Sequence, residues 1–366
     1  MFSQRVKAID ISGIRKMFEG AGPDAINLGL GQPDFDTPVH IKNAAIDAIN
    51  KGMTGYTMNL GFLELRQALC EKFRRENDLA VTPDEVIVTS GASEALYLAL
   101  QAMVDAGDEV MMPDPGFVSY SALTKLAGGK PVGVSLGKDL TLTPEAVSEC
   151  ITPKTRILII NSPSNPTGTV QTKKEIKALA EIATDNDITI ISDEVYEHFI
   201  YEGEHVSPAQ YTDNVITINA VSKTYAMTGW RIGYAAARKE YIEQMVKVHQ
   251  YLQACACSIS QKAAQAAIEG PQDCVREMRE SFRERRDILL EGFGSMGIKC
   301  VKPQGAFYAF PEVEDEDAPQ KLIKNGIIVV PGSAFGENGK GHIRISYSTS
   351  EGNLRKALGI MEKVLR

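Results

Sequence analysis

The sequence predicts an α/β protein whose larger domain is built on a mainly parallel sheet flanked by helices, with a smaller α+β domain attached. Three observations carry that expectation. Short apolar, β-prone runs alternate with helical stretches between residues 86 and 219, the pattern of a parallel sheet covered by helices. Nearly every Gly, Pro or polar cluster falls just after one of these runs, where ligands sit in such sheets. Beyond residue 296 the pattern changes to short strands among helices.

Taken in order, residues 1–38 combine a helical stretch at 13–19 with the turn-rich LGLGQPDFDTP at 28–38. Its glycines let the backbone approach a ligand closely. Residues 40–50 and 61–77 read as amphipathic helices. The β-prone runs are 86–89, 109–112, 155–160, 189–192 and 215–219, with helices expected at 94–104, 118–126 and 172–186. Long helices follow at 239–253, 258–269 and 273–296. Strands expected at 298–302, 307–310, 327–330 and 342–346, with helices at 318–324 and 351–365, make the α+β part. The expected division is 39–270 for the large domain, and 1–38 with 271–366 for the small one.

Hydrophobic residues at 43% and charged residues at 23% are ordinary for a soluble globular chain. A net charge of -8 argues against a general nucleic-acid binder, which needs a basic surface. No apolar run is long enough to span a bilayer, and the N-terminus lacks a signal-peptide core. A cytoplasmic protein without membrane association is therefore expected. The six cysteines form no Cys-x-x-Cys pair and the five histidines no ligand spacing, so no metal is expected.

The stretch NAVSKTYAMTGWRIG, residues 219–233, carries the first chemical candidates. It places Lys223 just past a β-prone run and Arg231 eight residues later, among glycines. A free lysine has a pKa of ~10.4, so a nucleophilic lysine needs burial or nearby cations to lower it. Arg231 is such a cation. Asp193 follows the 189–192 run, with Tyr196 three residues on. A carboxylate there suits a positive partner such as a protonated ring nitrogen. SGAS at 90–93 lies between a strand and a helix, where free N–H groups make a phosphate cradle and Ser93 adds a hydroxyl. NSPSNPTG at 161–168 holds two X-Pro units that stiffen the chain and aim Asn165. Each feature alone has an ordinary structural explanation: exposed loop side chains, a helix N-cap at Ser93, a pair of capping acids, a stiff loop. Together, an amine for an aldehyde, a carboxylate for a pyridinium nitrogen and a phosphate cradle fit pyridoxal phosphate (PLP).

On these motifs the chain resembles the class I/II aminotransferases of fold type I, a PLP-dependent family. It is most similar to the prokaryotic and archaeal branch that includes aspartate and aromatic aminotransferases, with motifs in family order from Ile14 to the C-terminus. The resemblance implies a mixed sheet of seven-stranded type in the large domain. It implies that Lys223 attaches the cofactor covalently and then serves as general base and acid. Asp193 in SDEVYEHF would pair with the pyridine nitrogen, and Tyr196 and Asn165 (in NPTG) would hydrogen-bond the ring's phenolic oxygen. Phe117 in PDPGFVSY would stack on the ring, and Ala92, Ser93 and Arg231 would bind the phosphate. Tyr56 in GYTMNLG would reach the phosphate of the neighbouring subunit's cofactor, which implies a homodimer with shared sites. Arg344 in HIRISYS would grip the substrate α-carboxylate as a bidentate fork, assisted by Gly31 and Asn165. Two positions depart from the family pattern. Ala220 stands where the lysine signature begins with Gly or Ser, which leaves Ser222 as the candidate phosphate-binding hydroxyl. Ser93 stands where some aspartate enzymes of this branch carry a lysine, and Arg15 is an alternative contact for a distal carboxylate.

The expected reaction is ping-pong transfer of an amino group from an L-amino acid to a 2-oxo acid such as 2-oxoglutarate. Aspartate or an aromatic amino acid is the expected donor, with alanine and branched donors open. A carbon–sulfur lyase of the same fold would carry the same lysine, aspartate and arginine. A non-catalytic PLP-fold regulator would need an appended DNA-binding module, and none is expected before Ile14 or after the last helix.

Overall fold

The computed structural model describes residues 2–10, 22 and 24–365. The helical stretch expected at 13–19, and Arg15 within it, lie outside the described residues. In chain order the strands are β1 (Ile26–Asn27), β2 (Val86–Thr89), β3 (Glu109–Asp114), β4 (Lys130–Ser135), β5 (Thr155–Asn161), β6 (Thr189–Asp193), β7 (Val215–Ala220), β8 (Gly233–Ala236), β9 (Tyr308–Ala309), β10 (Ile327–Ile328), β11 (Val330–Pro331) and β12 (Ile343–Ser346). Strands β2 to β8 form one seven-stranded sheet in the order β2-β8-β7-β6-β5-β3-β4. Neighbours from β7 to β4 pair in parallel, whereas β8 is antiparallel to both of its neighbours.

The helices that matter below are α1 (Leu63–Lys72), α2 (Ala92–Met103), α3 (Ser119–Ala127), α4 (Lys173–Asp185), α5 (Lys239–Leu252), α6 (Asp273–Met296) and α7 (Glu351–Leu365). They explain why the strands read as continuous apolar runs. In β5, Ile157 and Ile159 pack with α2 and α5, while Leu158 and Ile160 pack with α4. Both faces of the sheet are covered, so both faces are apolar. No helix among the described residues is long and apolar enough to cross a membrane.

Two strands of the sheet escape the sequence pattern. β4 is an edge strand containing Pro131 and Gly133, and β8 is GYAA, poor in β-formers. The strand expected at 298–302 is not formed. Gly297 ends α6 in a left-handed conformation (φ 71°), and the Ile298 N–H bonds back to the Phe293 carbonyl. The apolar character of Ile298 thus serves a helix ending rather than a strand. The run expected at 327–330 divides: β10 pairs in parallel with β1, and β11 pairs with β12, which also pairs with β9. Through β1 and β10 the N-terminal segment is stitched to the α+β part, where α6 and α7 share one core with β9 and β12.

A buried ion pair lies beneath the sheet's carboxyl edge. Lys72, at the end of α1, is buried against Glu197, which also accepts from Asn77 (2.7 Å) and Asn219 (2.5 Å). Burial alone would raise the Glu197 carboxyl, but the charges of Lys72, His198 and His205 and the Lys72 hydrogen bond outweigh it and hold the carboxyl at about 2. A carboxyl depressed in the folded state stabilises above its unfolded pKa and loses that contribution as pH falls. The window here runs from the ordinary value of 4.5 down to about 2. We predict that Lys72→Met lowers stability by about 3–5 kcal/mol, measured by urea unfolding at neutral pH. The variant should also lose less stability than wild type on acidification through that window.

Candidate active site

Three parallel strand ends meet at one edge of the sheet. β5, β6 and β7 end at Asn161, Asp193 and Ala220, with Asn161 opposite Asp193 and Asp193 opposite Ile218. β2 ends nearby and leads through Ser90 and Gly91 into α2. The antiparallel direction of β8 completes the edge. Its first residue, Gly233, lies opposite both Ala220 and Thr89. Arg231, two residues earlier, is therefore delivered to the loop after β2, with Nη2 3.4 Å from the Ser90 carbonyl and Nη1 2.9 Å from that of Thr228. Gly91 leaves room for this guanidinium: its φ is 79°, and a Cβ there would lie 2.4 Å from Arg231 Nη2.

The N-cap of α2 is Gly91 rather than Ser93, and no side chain caps the helix. Ala92 and Ser93 are its first two residues, so uncapped N–H groups and the Ser93 hydroxyl face the same space as Arg231. That space is a cavity of about 260 Å³. Lys223 sits in it on the helical turn Val221–Thr224 directly after β7, with Nζ donating to the Gly31 carbonyl at 2.6 Å. Burial, then repulsion by Arg231 and Arg344, pulls its pKa down to about 8 against the opposing pull of Asp193. Asp193 is buried, and its Oδ2 accepts from the Tyr120 hydroxyl at 2.7 Å. Burial raises its carboxyl to about 6, opposed by the hydrogen bonds from Tyr120 and the Val195 N–H.

The remaining polar groups interlock. Asn161 Nδ2 donates to the Asp193 carbonyl (3.0 Å), and Asn161 Oδ1 accepts from the Asn165 N–H (2.8 Å). Asn165 Oδ1 then accepts from Arg344 Nη1 at 3.0 Å. Arg344 is 1% exposed; its Nη2 donates to the Gly29 carbonyl, and its Nε has no partner. The hydroxyls of Tyr196 and Tyr308 lie 2.7 Å apart.

Among the described residues, every site residue singled out in the sequence lines this cavity except Tyr56, which is 90% exposed; Arg15 lies outside the described residues. Ser222 is there, two residues beyond Ala220, so the wall keeps one hydroxyl although Ala220 brings none. The sequence did not disclose Tyr120, Asn161 or Tyr308. Tyr120 and Asn161 stood inside motifs already noted, three residues after Phe117 and four before Asn165. Tyr308 carried no local signal.

The donor set divides by chemistry. One end offers the α2 N-terminus, two serine hydroxyls and Arg231, which suit a phosphate dianion. The buried carboxylate of Asp193 suits a protonated pyridine, and the amine of Lys223 lies between apolar walls that include Phe117 and Val195. Arg344 adds a buried guanidinium with an unpaired Nε. These groups fit PLP. A model of the class I and II aminotransferases matches residues 23–360.

The chain belongs to the class I and II aminotransferases.

This aminotransferase is a PLP-dependent enzyme of fold type I. It is 48% identical to a probable aspartate aminotransferase of Methanocaldococcus jannaschii, with all of both chains covered. It is 42% identical to aromatic-amino-acid aminotransferase 2 of Thermococcus litoralis, covering 100% of this chain and 98% of that one. Its fold matches the aspartate aminotransferase of Thermus thermophilus solved with maleate at a TM-score of 0.96 and 43% identity, with all of both chains covered.

The electrostatics of Lys223 in this aminotransferase are testable. In the cofactor-free protein its amine should react with an acylating reagent with a midpoint near pH 8. Arg231→Met should move that midpoint upward, toward the ordinary 10.5, because one of the two repelling cations is gone. A midpoint that stays in place would show that the Arg231 charge is not felt at the amine.

Proposed function

We propose that the enzyme transfers the amino group of aspartate or an aromatic L-amino acid to 2-oxoglutarate in two half-reactions, in the cytoplasm and as a homodimer. The observation that carries this reading is the pairing of Lys223 and Arg344 across one cavity. An amine pulled down to about 8 faces a buried guanidinium that still has an unpartnered N–H. That arrangement suits an α-amino acid held by its carboxylate beside a base.

PLP bound here supplies an electron sink for the substrate carbon next to the amino group. Lys223 would be the covalent attachment point; once the incoming substrate amine has taken its place and its Nζ is clear of the Gly31 carbonyl, that Nζ would take the proton from the substrate carbon and deliver it to the cofactor side. Asp193 keeps a proton on the ring nitrogen, and Tyr196 and Asn165 donate to the ring's phenolic oxygen. Phe117 covers one face of the ring. Ala92, Ser93, Ser222 and Arg231 hold the phosphate. Arg344 grips the α-carboxylate as a fork, with Gly31 and Asn165 beside it. Tyr56, exposed here, would reach the phosphate of the second subunit's cofactor. Residues 39–270 would act as the cofactor-binding domain, and 1–38 with 271–366 as the domain that brings Arg344 to the substrate.

The choice of donor rests on relatives named for aspartate and for aromatic amino acids, at 48% and 42% identity. A carbon–sulfur lyase could use the same residues, but family membership favours transfer. The test is a donor screen with 2-oxoglutarate as acceptor, read alongside Lys223→Ala. We expect that variant to lose the covalently held cofactor and roughly a thousandfold in transfer rate. A Lys223→Ala enzyme with full activity would overturn the mechanism. Tyr56→Phe should weaken PLP binding, and a monomer in solution would remove Tyr56 from the site.

A further inference from the structure

We propose that Tyr308 is a positioning residue with two separable roles: its hydroxyl holds the hydroxyl of Tyr196, and its ring carries the guanidinium of Arg344. The proposal rests on the reading of Tyr196, Lys223 and Arg344 given above.

Tyr308 is the first residue of β9 and is buried. It lies opposite Ser346 on β12, the strand that also carries Arg344 two residues earlier. Residues two apart on a strand share a face, so Tyr308 and Arg344 are diagonal neighbours across the pair. The Arg344 guanidinium carbon lies 4.7 Å from the Tyr308 ring centre and 5.0 Å from that of Phe335. Two aromatic rings therefore hold a buried cation whose Nε has no hydrogen-bond partner.

The other end of Tyr308 faces the catalytic side. Its hydroxyl lies 2.7 Å from that of Tyr196. Burial pushes both phenols above their ordinary value, so both stay protonated and one donates to the other. If Tyr308 donates, the Tyr196 proton is left to point at a ligand oxygen. The charged groups facing this pair are Arg344 and Asp193. Space for the Tyr308 hydroxyl depends on Gly31, where a Cβ would lie 2.1 Å from it. The carbonyl of the same Gly31 accepts from Lys223 Nζ. One side chain thus touches the substrate arginine, the tyrosine aimed at the cofactor and the backbone that holds the lysine.

The test uses the PLP-loaded enzyme and two variants, Tyr308→Phe and Tyr308→Leu, with thermal unfolding as the check on folding. Three readouts are taken: affinity for the non-reacting dicarboxylate maleate, the pH midpoint of the cofactor's visible absorbance, and kcat against KM. Tyr308→Phe keeps the ring, so maleate affinity and KM should stay within about twofold of wild type. Its Tyr196 hydroxyl donates less well to the ring's phenolic oxygen, so the absorbance midpoint should move to higher pH and kcat should fall about tenfold. Tyr308→Leu should show both changes and, in addition, bind maleate about tenfold more weakly. A Phe variant with unchanged midpoint and kcat overturns the hydroxyl role. A Leu variant that binds maleate as wild type does overturns the ring role. Equal losses in every readout for both variants, in step with a lower unfolding temperature, reduce Tyr308 to packing and overturn the proposal. A wild-type enzyme that transfers no amino group from any donor would instead sink the functional reading, while maleate affinity and absorbance could still be measured.

Discussion

Two cations sharing one cavity constrain everything around them. Lys223 and Arg344 repel each other, and Arg231 adds a third positive charge at the cavity edge, against Asp193, the one carboxylate among the described residues that line it. Desolvating like charges together is expensive unless hydrogen bonds and counter-charges compensate. The protein compensates only in part. Backbone carbonyls of Gly29 and Gly31 and the Asn165 amide oxygen solvate the two inner cations. The remaining excess of positive charge has two consequences. It adds to burial, the larger cause, in lowering the pKa of Lys223 to a range where a useful fraction is neutral, and it leaves the cavity suited to ligands that bring negative charge. A phosphate at one end and a carboxylate at the other are such ligands.

The sheet makes this concentration of charge possible. Parallel strands bring Asn161, Asp193 and Ala220 to one edge. One antiparallel strand, β8, brings a segment from the opposite direction to the same edge, and that segment carries Arg231. An all-parallel arrangement would have placed the amino end of β8 at the far side of the sheet. The edge is also anchored from behind. Asn219, one residue before Ala220, donates to Glu197, which is paired with buried Lys72. The strand that leads into Lys223 is therefore fixed by an ion pair outside the cavity, and Asp193 is fixed by Tyr120.

What was legible in the sequence was what is local. Runs such as 155–160 are long and rich in Ile and Leu because both sheet faces are buried, and they stand out. Lys223, Asp193 and Asn165 were legible because each follows such a run, inside a motif. Strand β8 was not, because Gly and Ala lack the side chains that mark a strand, although its direction places Arg231. The apolar run at 298–302 misled for the converse reason, since a helix ending also uses an apolar residue. Tyr308 was invisible because its importance lies in contacts with Tyr196, Gly31 and Arg344, which are distant in sequence and converge only in the folded chain.

The N-terminal loop shows how a backbone can stand in for a ligand. LGLGQPDFDTP marked a place where the chain could come close to something bound. In the fold its carbonyls at Gly29 and Gly31 approach the two inner cations, Arg344 and Lys223. A carbonyl oxygen carries only partial negative charge, so it solvates a cation less strongly than an anion does. A carboxylate ligand would therefore compete with Gly29 for Arg344 on favourable terms. An amine released from Gly31 becomes free to accept a proton. Both contacts are strong enough to order the resting site and weak enough to be exchanged, because their acceptors are neutral. Carboxylates in their place would pair the two cations fully, raise the pKa of Lys223 and leave Arg344 little reason to take a substrate.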